Sequence, residues 1–418
     1  MITKILRFRV SSRCAGAVFA LILAGFYGVL PAYVSLHVAD GHYFRLLAGM
    51  GFVAAAGVWV GFRLPTVVAR KRERLRRVVI DPNLLHVAVW GSFIIFALYT
   101  FWTARAIPIV SAFQGASAEE LSQQRGDLFK ARVGGEIVLL YLSAIFVSAL
   151  LPLSLVKMYI DKAWLRHFCV LLFFIFTISS LHKGMFLNVA IPLFYYLIMY
   201  LRRPGRTLYV IMIASVVLMF LVTVLASGGR SRFDVDQKPR PTVEEYFAAA
   251  YPPDTALDLL IWRIVAVPIF TATDSLVVFE EDLSGRPLLG ATSSLLAACF
   301  GQTRVPFERM VFAHQWGWND IANANAVFFI EGFVNFGWIG VVLFSLVVGR
   351  ILRWIRDSGD SAIQSLWFVL CLGLFSGGLL GMLLSNGYLL VALAALGLKF
   401  DRTVRTPLSD SVLKQSPA

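Results

Sequence analysis

Charge is scarce in this chain: only 15% of its 418 residues are Asp, Glu, Lys or Arg, against roughly 25% in an ordinary soluble domain. Cysteine is scarce too. Three of the four (Cys14, Cys169, Cys371) fall inside apolar runs and only Cys299 lies outside one, so neither a disulfide framework nor a metal-ligand spacing is present. No Walker loop, HExxH, G-x-S-x-G or dinucleotide fingerprint occurs, which removes the familiar soluble enzyme classes. There is no low-complexity tract and no 20–50-residue repeat, so solenoids are excluded. What fills the chain is apolar: 58% of residues, 34 of them Phe, with a mean hydropathy of +0.74. No soluble core hides that much apolar surface, and neither a disordered chain nor a disulfide-stapled module has this composition. The sequence reads as an all-α polytopic membrane protein.

A helix needs roughly 20 apolar residues to cross the hydrocarbon. Such stretches lie at 14–36, 43–62, 84–102, 136–156, 165–181, 184–201, 207–226, 326–349, 362–384 and, shorter, 386–399. About ten spans are expected, up to twelve, and no alternating ten-residue strands suggest a barrel. The basic residues sort these spans. Loops and ends at Lys4–Arg13, 63–83, Lys157–Arg166, Arg202–Arg206, Arg350–Arg356 and the tail after Lys399 sum to +17, and the remaining loops to −4. The positive-inside rule then puts both termini in the cytoplasm. The formal charge of +13 is thus explained by topology, and nucleic acid is not an expected partner. The first span, behind its basic start, is too long for a signal-peptide core and reads as an uncleaved anchor.

Four regions follow: a membrane bundle over 1–226 with an external loop at 103–135, a large external loop at 227–325, closing spans over 326–399, and a cytoplasmic tail at 400–418. Loops as long as the two external ones are usually functional or disordered, and the second is too apolar for disorder. Within it, Thr242 and Glu245 form a capping-box pattern. The stretch 256–280 is long enough to span but carries Arg263, Pro268 and Asp274. A central Asp costs about 2.5–3.5 kcal/mol on insertion scales. The expectation is therefore a helix at the outer interface or packed on the bundle. A true span here would need a second crossing within 296–325 to restore parity, and whether 288–300 spans or lies at the interface is likewise open.

The chemistry is external and cationic. Arg105, Arg125, Arg132, Arg230, Arg232, Arg263, Arg304 and Arg309 lie on that side, where arginine outnumbers lysine. The guanidinium fork matches phosphate oxygens, so as a group they point to a lipid headgroup or pyrophosphate; scattered surface charge is the competing reading. His182 and Lys183 sit in the tight turn between spans five and six, where Lys183 either joins this patch or caps a helix. Residues 314–340, HQWGWNDIANANAVFFIEGFVNFGWIG, run from His314, Trp316, Trp318, Asp320, Asn323 and Asn325 into a span. Aromatic faces beside amides suit a sugar, and an interfacial Trp belt fits equally. Glu331 stands in the first turns of that span, where an ionisable group is a functional candidate or an ion-pair partner.

The IPIV segment, the SAEELSQQRGDLFKAR loop with Arg125, and NAVFFIEGFVNFGWIGVVLF after a long external loop resemble the bacterial Wzy-type polymerases of O-antigen and exopolysaccharide repeat units. E-G-F-x-N-F-G-W-I-G is the strongest single match. O-antigen ligases share a related motif with a His-Asn pair just before it; Asn323 and Asn325 stand there instead, with His314 about nine residues earlier, which favours the polymerase.

The resemblance implies a GT-C-like glycosyltransferase of the bacterial inner membrane, working on the periplasmic side without metal or cofactor. Its donor would be a glycan on undecaprenyl pyrophosphate, its acceptor a lipid-linked repeat unit, and its partners a chain-length-regulating co-polymerase and a flippase. On that reading Glu331, Asp320 or His314 takes the acceptor proton. Arg125, Arg132, Arg230, Arg232, Arg263, Arg309 and Lys183 hold the pyrophosphate, and Trp316, Trp318, Asn323 and Asn325 hold sugar. Three alternatives remain open. A ligase would use nearly the same groups. A lipid-linked glycan transporter would predict a repeat and charges deep in the spans, and neither is visible. A scaffold would not need the arginines.

Overall fold

The computed structural model describes residues 12–65, 78–129, 132–200, 217, 241–251, 253, 255–317, 323, 324 and 326–400. It is mostly helical. Six helices are long and apolar enough to cross a membrane: α1 (Ser12–Val34), α2 (His42–Arg63), α3 (Pro82–Trp102), α5 (Gly134–Ile160), α8 (Ala256–Glu281, apolar from Leu257) and α10 (Phe328–Asp357). Shorter apolar helices are α6 (Arg166–Ser180), α7 (Lys183–Tyr200), α11 (Ser361–Phe375) and α12 (Tyr388–Gly397). The segments expected outside add α4 (Ala118–Phe129) and α9 (Phe307–Trp316). The expected seventh span, 207–226, lies outside the described residues. Leu21, Val87, Ile95 and Ile339 are each at least 70% exposed; side chains so apolar belong against lipid, since a water-facing belt of them would drive association.

The residues expected in the cytoplasm share one end of the bundle. Arg350 and Arg353 donate to the carbonyls of Leu64 and Phe62, and the Arg356 guanidinium lies over the Phe62 ring. Lys157 pairs with Asp360 at 3.2 Å and stands over Phe400. Strand β1 (Val78–Ile80) runs parallel to β2 (Leu398–Phe400), joining the chain after α2 to the chain after α12. The residues expected outside share the other end. The Phe129 ring meets His182, so the first external loop and the turn between α6 and α7 are neighbours, as the same-side assignment requires.

Helices α2 and α10 approach closely, and small residues permit it. Gly57 and Gly61 face Ser345 and Gly349: a Cβ on Gly61 would strike the Leu346 carbonyl and one on Gly349 the Val58 carbonyl. This is a small-xxx-small interface, which lets backbones approach where lipid supplies no hydrophobic drive. Elsewhere phenylalanine fills the gaps. Phe93 of α3 meets Phe146 of α5 and Phe176 of α6 edge-on, at 5.7 and 5.1 Å between ring centres.

Two expectations change. The stretch 256–280 is one continuous 26-residue helix despite Pro268. It packs on the bundle, as expected, yet it is also long enough to cross. Asp274 is tolerated because the Gln315 amide donates to it at 2.8 Å. Among the described residues of 296–325 no compensating crossing is found: they hold Ser294–Cys299 and α9. The second change is in the eighth span, which is not straight. Gly337 has φ 63° and ψ −153°, a conformation essentially reserved for glycine, and the chain turns sharply there. A Cβ on Gly332 would lie 2.7 Å from the Gly340 carbonyl oxygen and 3.2 Å from the Phe344 ring. In a straight helix, residues eight apart are separated by about 12 Å, so the first limb (328–336) is folded back on the second (338–357).

Candidate functional site

The folded-back limb starts inside the bundle. The rings of Phe328 and Phe329 lie against Phe19 and Tyr27, residues that bracket the middle of α1. Glu331 is therefore within the protein and not at the outer boundary that a straight span would give it. Its surroundings are breaks in other helices. Tyr27 sits in a π-helical stretch, Ala24–Val29, and its hydroxyl donates to the Phe375 carbonyl at the end of α11. The chain then leaves helical form at Ser376–Gly378 and resumes as a π-helical turn, Gly381–Ser385. The Glu331 carboxylate accepts the Leu380 N–H at 3.0 Å, satisfying a donor that the restarted helix leaves unpaired. Gly378 makes room, since a Cβ there would lie 2.8 Å from the carboxylate. Irregular backbone within a bundle survives only when buried in protein or lining a cavity, and π-stretches concentrate at functional sites.

Asn335, fully buried, fixes the limb. Its amide donates to the Glu331 carbonyl and the Thr292 hydroxyl, both at 2.8 Å, and accepts the Gly290 N–H at 2.9 Å. The turn at Gly337 frees the carbonyls of Val334 and Asn335, and the N–H groups of Leu288 and Leu289 take them at 3.0 and 2.9 Å. The second external loop is thereby sewn to the limb that carries Glu331. Reading residue by residue passed over Asn335, although it stands in the E-G-F-x-N-F-G string; an amide two positions before a glycine was the available signal.

Above this limb lies α9. Its Glu308 is half-buried and near enough for its charge to act on Glu331. Burial pushes the Glu308 carboxyl up from its ordinary range, while Arg304 and Arg309 pull it down. Arg309, expected to bind phosphate, thus lies near Glu308, as does Arg304. His314 and Trp316 are exposed on the last turn of α9, next to Gln315, which turns inward to Asp274 and Thr271. Asn323 is exposed. Among the ion pairs of the described residues none includes Glu331, so the structural alternative of a salt bridge finds no partner there.

The remaining arginines are dispersed. Arg263 is on an exposed face of α8 beside exposed Leu260 and Ile264. Arg125, half-buried on α4, donates to the Leu121 carbonyl, and burial lowers its pKa. Arg132 is buried and committed: it donates to the Leu128 and Thr100 carbonyls, the Thr103 hydroxyl and Glu136. Asp320, Trp318, Asn325, Arg230 and Arg232 lie outside the described residues, as does the side chain of Lys183.

Arg132 invites a direct check. Lys cannot reach four acceptors in different directions, so Arg132→Lys should cost about 2 kcal/mol and lower the melting temperature in detergent. Arg125→Lys should leave it unchanged. Equal melting of both variants would mean that the Arg132 network does not hold the first loop.

Comparison with protein-family models, curated proteins and solved structures returned no match.

Proposed function

We propose that this protein is a polymerase of lipid-linked oligosaccharide repeat units, a GT-C-like glycosyltransferase acting on the outer face of the bacterial inner membrane. The observation that carries the reading is Glu331, held half-buried on a folded-back limb within reach of the charge of Glu308, which has Arg304 and Arg309 near it. The proposed reaction needs that combination. A carboxylate takes the proton of the acceptor hydroxyl as the hydroxyl oxygen bonds to the donor's anomeric carbon and the bond to the lipid pyrophosphate breaks. Fixed cations stabilise the charge gathering on the leaving group. Undecaprenyl-pyrophosphate-linked glycans serve as donor and acceptor, with a co-polymerase and a flippase as partners.

The reading needs the basic end of the bundle in the cytoplasm. In a cysteine-free background, cysteines at Ser117 and Ser284, both exposed, should react with a membrane-impermeant thiol reagent in intact spheroplasts, and one at Lys162 only after permeabilisation. Lys162 is exposed, whereas Ser358, at the same end, is buried and would stay unlabelled on either side. Labelling at 162 with protection of 117 and 284 inverts the topology and ends the proposal.

The second reading is a transporter of lipid-linked glycans, favoured by the π-stretches of α1 and α5 and the break after α11, since broken helices mark midplane sites in transporters. One assay separates the two. Purified protein in liposomes is given lipid-linked repeat units. A ladder of lengthening glycans supports polymerisation, a single transfer to a different acceptor means a ligase, and movement between leaflets without new bonds means a transporter.

A further inference from the structure

The end of α3, the helix α4 and the start of α5 enclose a cavity of about 200 Å³ at the outer end of the bundle. Its polar lining comes from Arg105, Gln124, Asp127, Arg132 and Glu136. Arg132 is occupied by Glu136, Thr103 and two carbonyls, so it is part of the wall. Gln124 is different. Its Oε1 is buried and accepts no hydrogen bond from the described residues, which costs free energy unless a donor enters the cavity. Asp127 adds a second acceptor and the exposed Arg105 adds donors.

These groups select the chemistry of an occupant. Phosphate or pyrophosphate at neutral pH brings little that can donate to Gln124, and it would face the carboxylates of Asp127 and Glu136. A polyol carries donors and acceptors on the same atoms and no charge, and its C–H face suits the apolar wall at Leu128 and Val133. Sites for drug-sized ligands run to roughly 300–1,000 Å³, so this one holds a single ring. We propose that the cavity is a subsite for one sugar unit of an external glycan. Only the identity of that glycan, the acceptor repeat unit, rests on the polymerase reading.

The test uses the full chain in detergent and a panel of free glucose, galactose, N-acetylglucosamine and glucuronate, followed by saturation-transfer NMR. At least one should bind saturably, unaffected by inorganic pyrophosphate. Gln124→Leu and Asp127→Asn should each weaken binding on the order of tenfold with the melting temperature retained, because neither removes a bond the folded protein makes among its described residues. Ser122→Ala, exposed on the same helix, should bind as wild type. Absence of saturable binding would leave ordered water as the occupant and overturn the subsite. So would undiminished binding by both variants, or displacement by pyrophosphate. The ladder assay runs alongside. Sugar binding that depends on Gln124 without any ladder keeps the subsite and removes the polymerase; a ladder without sugar binding does the reverse.

Discussion

Replacing Glu331 by Gln should leave a folded protein that polymerises on the order of 100-fold more slowly, or less. The structural duty of the carboxylate is to accept main-chain N–H groups, Leu380 with Leu379 beside it, where the chain restarts after its break. Gln keeps an sp² oxygen at the same reach, so the break stays capped and the melting temperature should hold. What Gln lacks at neutral pH is the ability to take a proton. Glu331→Ala removes both functions: it strands the Leu380 N–H and should lower stability by about 1–3 kcal/mol in addition to losing the rate. The two variants therefore separate roles that a single substitution confounds. A Gln variant with normal turnover and normal melting would remove Glu331 as the base and move the assignment to His314 or Asp320. A Gln variant that melts early yet polymerises at the wild-type rate would make the residue structural.

The spans were legible because lipid demands long apolar runs, and hydropathy reports that demand directly. Nine of the ten expected stretches fall on helices of the described residues, and the grouping of Arg63, Lys157, Arg353 and Lys399 at one end follows from charge alone. The interruptions were not legible. The break at Ser376–Gly378 falls on a Ser-Gly-Gly step inside a long apolar stretch, but what removes its cost, Glu331 and Tyr27, is distant in the chain. The length of α8 was legible, but how it tolerates Asp274 was not: an Asp looks expensive until Gln315 is seen bonded to it. Arg132 counted as a phosphate ligand by type and side, but its four partners are supplied by three separate segments. The E-G-F-x-N-F-G-W-I-G string was singled out as a motif, yet its mechanics, a turn at Gly337 with backbones meeting at Gly332 and Gly340, become visible only when the two limbs are seen together.

Those mechanics predict the largest effect of all. Gly340→Ala should abolish polymerisation and sharply reduce the amount of folded protein. The added methyl would overlap the Gly332 carbonyl oxygen and crowd Phe336, and both obstacles are held. The Gly332 carbonyl is main chain, and its limb is pinned by Asn335 and by the bonds from Leu288 and Leu289. Relief requires the limbs to part, which carries Glu331 away from Leu380; a displacement of about 1 Å in a catalytic group already costs on the order of 100-fold. The control is the same substitution elsewhere. Gly91, within α3, has nothing within 4 Å of where its Cβ would stand, so Gly91→Ala should stabilise the helix by about 0.5–1 kcal/mol. Fluorescence-detected gel filtration against temperature, with the ladder assay on whatever survives, reads both. If Gly340→Ala accumulates, melts and polymerises like Gly91→Ala, the two limbs do not meet at these glycines, and the placement of Glu331 inside the bundle fails with them.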